Sequence, residues 1–359
     1  MSNEFIVHTG SIIQEYIDEI GFDYKECANQ LDISEKELND LFNGKISITP
    51  EIARKLENII KDVPASYWIN YESKYQEYLQ NITSNYSQKY SIDQLRKYSK
   101  RFRFNSVFKG LNWDLYKQAN EMLKILGLTS FEEFDNVYSN LNVDFMEDGG
   151  EKEAIAIWLN LAMEEVELQN PDLSGKQFDK NALINSLEKF KLLALNTDYK
   201  KSIISARKLL NQYGVYLVLL DAIENSKVRG ALTTYNNNPA IFLTARFKTH
   251  DHVWFALMHE IGHLIYHYIP NNPIISFEDE LYLLSKTDIN TKEEEANEFA
   301  RDFFINKSDY KKFIENQKFD KQSISNFAKS QNALPGIVVA RLQHDGYIGF
   351  DQLNYLKNK

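Results

Sequence analysis

Two histidines and a glutamate stand at a spacing that suits metal chemistry. They occur as His259-Glu260-Ile261-Gly262-His263, inside the apolar segment VWFALMHEIGHLIYH. On a helix, residues four apart project from one face, so His259 and His263 can bind one Zn2+ ion together. Glu260 then lies beside the open position, where zinc lowers the pKa of a water and the carboxylate takes its proton. The pattern predicts zinc-dependent hydrolysis with Glu260 as the general base.

The alternative interpretation of this segment is an amphipathic helix whose histidines lie at its solvent edge. The context favours the metal site, because apolar strand-like segments precede the helix and an acidic helix follows it. Gly262 is expected to leave room beside the ligand face for the metal or a substrate. The opposite face can anchor the helix in the core, since it carries Leu257, Met258, Ile261, Leu264 and Ile265.

The third zinc ligand is expected from the acidic segment KEEEANEFARDF. A zinc ion with two histidine ligands commonly takes a carboxylate as the third. At about 100° per residue, Glu293 shares a helix face with Asn297, which can hydrogen-bond a ligand histidine. Glu294 and Glu295 point elsewhere on such a helix. We therefore predict that Glu293 is the third zinc ligand and that Asn297 holds a ligand histidine in place by a hydrogen bond. The competing interpretation is that these glutamates are only a charged, solvent-exposed helix face.

Other polar residues near the motif have weaker assignments. His250, His252 and His267 flank it and are expected to be surface residues or to contact the ligand histidines. Tyr266 or His267 can donate a hydrogen bond to an oxyanion, and the sequence leaves that choice open.

The spacing of apolar and turn-forming residues along the rest of the chain predicts an α+β fold that is mostly helical. Three strands are expected at residues 215–220, 231–235 and 240–244, with a turn at Asn236, Asn237, Asn238 and Pro239 between the last two. These strands precede the motif helix and are expected to form a small α+β domain with it. We divide the chain into an N-terminal helix-turn-helix domain (1–75), a helical connector (76–200) and a zincin-like domain (201–359).

The first 62 residues read as four short helices. Ser34 is an expected N-cap of the third helix, which ends near Asn43, and Pro50 opens the fourth. If this domain binds DNA, its contacts are expected from Ser34, Lys36, Asn39, Asn43 and Lys45. Residues 1–74 hold seven basic and fourteen acidic residues, a balance that opposes phosphate binding. The domain can instead bind a protein or form a homodimer.

The composition of the chain limits the kinds of function and the cellular location that we expect. The net charge is −10, which argues against a protein that coats nucleic acid. Cys27 is the single cysteine, so no internal disulfide can form. We find neither a signal peptide nor a membrane-spanning run, and we expect a cytoplasmic protein without a membrane partner.

At these motifs the chain resembles the ImmA/IrrE family of bacterial and phage zinc metallopeptidases. The resemblance rests on Gly230-Ala231, NPAIFLTARFKTHDHVWFALMHEIGHLIYH, EEEANEFARDFFI and SISNFAKSQNALPGIVVARLQHDGYI. The N-terminal part resembles XRE-type and HigA-like antitoxin domains, except that Asp32 stands where their turn usually has glycine. Asn306, Ala340 and Tyr235 also depart from the family pattern, and none of these departures touches the expected zinc ligands.

The resemblance implies a metallo-endopeptidase that cleaves a transcriptional repressor or antitoxin-like regulator, in phage induction, toxin-antitoxin control or a stress response. The competing hypothesis is a DNA-binding, HigA-like transcription regulator whose zincin domain is structural or inactive. A third is a module whose helical middle binds a partner protein. Intact His259, Glu260, His263 and Glu293 favour the peptidase.

Overall fold

The computed structural model of the chain describes residues 7–139, 150–173, 175–244, 249–271, 274–277 and 291–357. The chain forms two compact units, Met1–Asn136 (unit 1) and Val137–Lys359 (unit 2). The division into three domains at residues 75 and 200 stays a prediction. Among the described helices, none combines the length and apolar character needed to cross a membrane.

Unit 1 is helical, and its helices begin where the sequence supplies caps. Ser34 and Glu37 form a capping box at the start of α3, and the Thr49 side chain caps α4 ahead of Pro50. Asp32 ends α2 with a φ of 58°, a left-handed conformation that aspartate tolerates. The helices are α1 (Thr9–Glu19), α2 (Tyr24–Leu31), α3 (Glu35–Phe42), α4 (Pro50–Ile59), α5 (Ala65–Lys89), α6 (Ile92–Arg101), α7 (Phe104–Val107), α8 (Leu115–Ile125) and, at the division between the units, α9 (Phe134–Val137).

The first helices of unit 1 share one apolar core. Ile13, Ile17, Leu31, Leu56 and Trp68 are completely buried within it. The four short helices expected over the first 62 residues are present as α1–α4. The third ends at Phe42, close to the expected Asn43, and the fourth begins at Pro50 as expected. The α8 helix begins at Leu115, because the Asp114 side chain caps its first turn.

Unit 2 places a four-stranded sheet among helices. Its elements before the sheet are α10 (Lys152–Gln169), α11 (Lys180–Asn185), α12 (Leu187–Leu193) and α13 (Tyr199–Gln212). Its strands are β1 (Tyr216–Leu220), β2 (Val228–Tyr235), β3 (Asn238–Thr244) and β4 (Ile274–Phe277). The later helices are α14 (His250–Tyr266), α15 (Thr291–Phe304), α16 (Lys307–Glu315), α17 (Lys321–Ser330) and α18 (Pro335–His344).

The sheet has the strand order β1-β3-β2-β4, with β1 and β3 parallel and the other pairs antiparallel. Asn236 and Asn237 join β2 to β3 with φ values of 45° and 66°, as a tight hairpin turn requires. The register between β2 and β4 shifts between Val228 and Gly230, which leaves Arg229 in a bulge. The α+β, mostly helical fold class is thus confirmed, and β4 is a strand that the sequence pattern did not reveal.

Candidate metal centre

The HExxH segment lies in the middle of α14, at the centre of the core of unit 2. Every residue from Ala256 to Ile265 is buried. Leu257, Met258 and Ile261 pack into the apolar core, as expected of the face that anchors the helix. Because α14 is fixed on that face, its opposite face holds the polar side chains in a defined position.

Three donor groups converge on that polar face. The Nε2 atoms of His259 and His263 lie 3.0 Å apart. Glu293 Oε1 is 3.0 Å from His263 Nε2, and Glu293 Oε2 is 3.2 Å from His259 Nε2. Glu293 comes from the first turn of α15, so the two helices together supply two imidazoles and one carboxylate.

The spacing of these atoms fits a tetrahedral cation. Donor atoms about 2.0–2.1 Å from a tetrahedral Zn2+ ion lie about 3.3 Å from one another. The two Nε2 atoms lie 3.0 Å apart, and each has one carboxylate oxygen of Glu293 within 3.0–3.2 Å, which is close to that value. Two imidazole nitrogens and a carboxylate oxygen are also the donors of zinc sites that keep one position open for water. The residues therefore fit a catalytic zinc ion.

Burial and neighbouring charges set the protonation of the three donors. Burial, aided by the Arg229 cation, lowers the pKa of His259 to about 3, so this imidazole is neutral. Burial alone would lower the pKa of His263, but the Glu293 carboxylate outweighs it and raises that pKa. Hydrogen bonds from both histidines overcome the effect of burial and hold the pKa of Glu293 well below its ordinary value. Glu293 is thus a carboxylate, the form that binds metal.

The outer nitrogens of both histidines have partners that orient the rings. His259 Nδ1 donates to Asn297 Oδ1 at 2.9 Å. His263 Nδ1 donates to His267 Nδ1 at 3.0 Å, and His267 Nε2 donates to Glu295 Oε2 at 2.8 Å. When Nδ1 of each ring carries the proton, as these partners favour, both Nε2 atoms can offer a lone pair to a metal ion, which would then replace the hydrogen bonds to Glu293.

Replacement of His267 by alanine should weaken zinc binding about 10–100-fold, because His263 loses the group that fixes its tautomer and ring orientation. Glu295→Gln should change the affinity much less, since a glutamine oxygen can still accept from His267. Zinc competition with a chromophoric chelator measures both variants. An unchanged affinity in His267→Ala would show that His263 is held by packing alone.

Gly262 has a different role from the one expected. A Cβ atom on Gly262 would lie 3.1 Å from Phe299 Cδ1 and 3.2 Å from Ala296 Cα. The space at this glycine is therefore filled by α15, and it is not open to a metal or substrate. Ala296 and Ala300 on α15 are completely buried, so small residues on both helices let Glu293 reach the histidines.

Glu260 is buried against β2, and its carboxylate contacts Gly230. A Cβ atom on Gly230 would lie 2.3 Å from Glu260 Oε1. The bulge at Arg229 brings two neighbouring residues of β2 to α14. Gly230 contacts Glu260, and Arg229 Cζ lies 5.1 Å from the centre of the Phe255 ring. No chemical role was predicted from the sequence for Gly230 or Arg229. A glycine within a strand can signal a close approach, and this one could have been noted on that ground.

Gly230→Ala should lower peptide cleavage at least tenfold while zinc affinity stays within about twofold of the parent. Gly230 lacks a positive φ, so alanine fits the backbone, but its methyl group must displace the Glu260 carboxylate. A cleavage assay measures the loss of activity, and zinc titration with a thermal unfolding midpoint shows whether metal binding and stability are retained. Full activity in this variant would show that Glu260 works from another position.

The residues expected to contact DNA lie apart from this site, in unit 1. Ser34 caps α3 and exchanges hydrogen bonds with Glu37. Asn43 Nδ2 donates to the Asn39 backbone oxygen at 2.6 Å, and Lys45 Nζ lies 3.0 Å from Asp40 Oδ1. These side chains therefore stabilise the helix and its end. Lys36 is exposed.

Two kinds of relative match short stretches of the chain. Virulence-associated protein A of Dichelobacter nodosus is 32% identical over 69 residues, which is 19% of this chain and 68% of that protein. An uncharacterized HTH-type transcriptional regulator, YddM, of Escherichia coli (strain K12) is 36% identical over 64 residues, or 18% of this chain and 67% of that protein. Each match is about as long as the N-terminal domain expected from the sequence.

The peptidase M78 family model, described as an IrrE N-terminal-like domain, matches residues 211–343. That range contains the whole hairpin of β2 and β3, all of α14 and all of α15. It therefore includes every residue of the donor cluster and its hydrogen-bonded neighbours. Over these residues the chain therefore carries a peptidase M78 domain, of the IrrE N-terminal-like kind.

Proposed function

We propose that unit 2 is a zinc-dependent endopeptidase that cleaves a protein regulator, either a transcriptional repressor or an antitoxin-like protein. The observation that carries this proposal is the cluster of His259, His263 and Glu293, whose donor atoms lie within 4.8 Å of one another. The match of residues 211–343 to a peptidase family model supports the reaction class. The kind of substrate rests on the resemblance to the ImmA/IrrE family.

In this proposal, separate residues hold the metal, orient its ligands and transfer the proton. His259, His263 and Glu293 would hold the zinc ion, and Asn297 and His267 orient the two rings. A Zn2+ ion bound there supplies Lewis acidity that polarises the peptide carbonyl and acidifies a water. Glu260 takes the proton of the attacking water and gives it to the leaving nitrogen. The contact with Gly230 fixes the position from which Glu260 acts.

Co-expression with the products of neighbouring genes tests the proposal directly. The protein and its Glu260→Gln variant are each produced with every candidate regulator, and intact-mass analysis follows the regulator. One regulator should be cut at a single site by the parent and left whole by the variant. Glu298→Gln, an exposed change on α15, is the matched control and should cut normally. A regulator cut equally by Glu260→Gln would refute the mechanism.

A second candidate function is transcription regulation through unit 1, as in a HigA-like antitoxin. The observation that favours it is the similarity to a protein named as an HTH-type transcriptional regulator. The charges of α3 oppose it, because Glu35, Glu37 and Asp40 accompany Lys36. We infer that unit 1 binds a protein, or a second copy of the chain, in preference to DNA.

The full-length protein should therefore bind its own upstream DNA only in the nonspecific range, with a Kd of about 10−6 M or weaker at physiological salt. Reversal of the charge at Lys36 by Lys36→Glu should change this affinity little. Fluorescence anisotropy at several salt concentrations makes the measurement. Nanomolar, salt-sensitive binding that Lys36→Glu abolishes would make transcription regulation the better proposal.

A further inference from the structure

The outermost strand of the sheet, β4, runs beside the residue of β2 that contacts the general base. The antiparallel register sets three residues of β4 against three of β2: Ile274 against Leu232, Ile275 against Ala231 and Ser276 against Gly230. Gly230 is the residue that the Glu260 carboxylate contacts. Neighbouring strands are about 4.8 Å apart, so the backbone of β4 passes one strand spacing from this contact.

The edge of β2 that β4 covers is also the edge that a substrate needs. A peptide bond is within reach of Glu260 only if the substrate chain lies close beside it. Extended peptides commonly bind to a protein as an added strand along the edge of a sheet. The other edge of β2 is paired with β3, where Leu243 lies opposite Gly230. The edge of β2 that is left for a substrate is therefore the one that β4 occupies.

β4 is held less firmly than the other strands of the sheet. It has four residues and lies at the end of the strand order. Ile274 and Ile275 are only partly buried, whereas all seven residues of β3 are buried. The register shift between Val228 and Gly230 also interrupts the pairing of β4 with β2. A short edge strand with few buried contacts opens at a lower cost in free energy than the core of a sheet.

One side chain of β4 packs against the apolar core of unit 2. This residue is Ile274, and its partner across the strands, Leu232, is buried in the same core. A peptide that replaces β4 in the same register puts one of its own side chains in this place, two positions before the residue opposite Gly230. Because the place is apolar, a large aliphatic side chain binds there better than a polar one.

We propose that β4 occupies the substrate-binding edge of β2, from Gly230 to Leu232, and inhibits the enzyme until a substrate displaces it. The substrate binds as an extended segment, antiparallel to β2 as β4 is. Its preferred sequence has a large aliphatic residue two positions before the residue opposite Gly230. This assignment rests on the proposed peptidase function. It adds the class of segment that the enzyme selects and an inhibited state built into the chain.

A reversible disulfide between β2 and β4 tests the proposal without any cleavage. Opposite residues of an antiparallel pair have Cα atoms about 4.5–5.5 Å apart, which is within the range of a disulfide. Ala231→Cys and Ile275→Cys are therefore combined in the full-length Glu260→Gln protein, and intact mass shows whether the bond has formed. The probe is a fluorescein-labelled peptide, GSIISFGS, that carries the sequence of β4. Fluorescence anisotropy should show at least tenfold weaker binding to the oxidised protein than to the same protein after reduction.

A variant that loosens β4 should have the opposite effect. In the Glu260→Gln background, Ile274→Ser should raise the affinity for GSIISFGS at least tenfold, because a weaker internal competitor leaves the edge of β2 open more often. Ile204→Ser makes the same change at an exposed position of α13 and should stay within twofold. The peptide GSSISFGS, with serine in place of the first isoleucine, should bind to the Ile274→Ser protein at least tenfold more weakly than GSIISFGS. Should Ile274→Ser fail to fold, the comparison of the oxidised and reduced proteins still decides the matter.

Two results would overturn the proposal. Equal affinity of the oxidised and reduced proteins would mean that the peptide binds elsewhere than at the covered edge of β2, and an absence of binding to the reduced protein and to Ile274→Ser would mean that this edge takes no peptide. Failure of this proposal is distinguishable from failure of the peptidase. Binding that depends on the disulfide, together with unimpaired cleavage of a regulator by Glu260→Gln, would leave the edge standing and refute the catalytic assignment.

Discussion

Glu260→Gln should lower the rate of substrate cleavage by about 10²–10⁴-fold, the usual contribution of a positioned general base. Glutamine has nearly the shape of glutamate, and it can still occupy the space beside Gly230. What it loses is the ability to take a proton. The zinc content should stay near one ion per chain, because Glu260 is separate from the three donor groups.

The measurement pairs single-site cleavage kinetics with metal analysis of the same preparation. Glu298→Gln again serves as the control for a glutamate-to-glutamine change on the surface of unit 2. Loss of zinc together with activity would mean that Glu260 acts as a ligand. Cleavage at the parent rate would exclude it as the base.

Glu293→Ala should weaken zinc binding at least tenfold, the largest effect on metal affinity among the three adjacent glutamates. Its two carboxylate oxygens are the atoms that meet the histidine nitrogens, at 3.0 and 3.2 Å. Removal of a direct ligand should cost at least as much as the roughly 10–100-fold typical of residues that only orient a ligand.

Glu294→Ala and Glu295→Ala are matched controls on the same helix turn. Glu294 pairs with Arg301, away from the donor cluster, so its loss should leave zinc affinity nearly unchanged. Glu295 reaches the centre only through His267, so its effect should be modest. Competition titrations of the three variants rank them. Equal affinities for Glu293→Ala and Glu294→Ala would remove Glu293 from the ligand set.

Much of this centre was predictable from local periodicity. The spacing of His259 and His263 depends only on the pitch of one helix, and so does the pairing of Glu293 with Asn297. The two strands before α14 were equally clear, because the asparagines and the proline at residues 236–239 indicate a turn, although Asn238 and Pro239 already belong to β3. These features need no knowledge of which elements pack together.

The parts that the sequence did not reveal all depend on tertiary contacts. The role of Gly262 follows from the approach of α15, and the contact of Gly230 with Glu260 follows from a bulge opposite β4. The β4 strand, residues 274–277, is too short to show a period. The link from Glu295 through His267 joins residues 28 apart in sequence, which no helical pattern can foresee.

The close contact between α14 and α15 also ties the folding of unit 2 to its metal. The donors come from two helices whose nearest ligands, His263 and Glu293, are thirty positions apart, so a bound ion would hold together segments that separate on unfolding. Each tenfold rise in free metal above the dissociation constant then adds about 1.4 kcal/mol to the free energy of unfolding. If zinc is that ion, a cell short of zinc would hold less of this unit in its folded form, so the supply of metal would set the amount of folded protein as well as the rate of the reaction proposed for it.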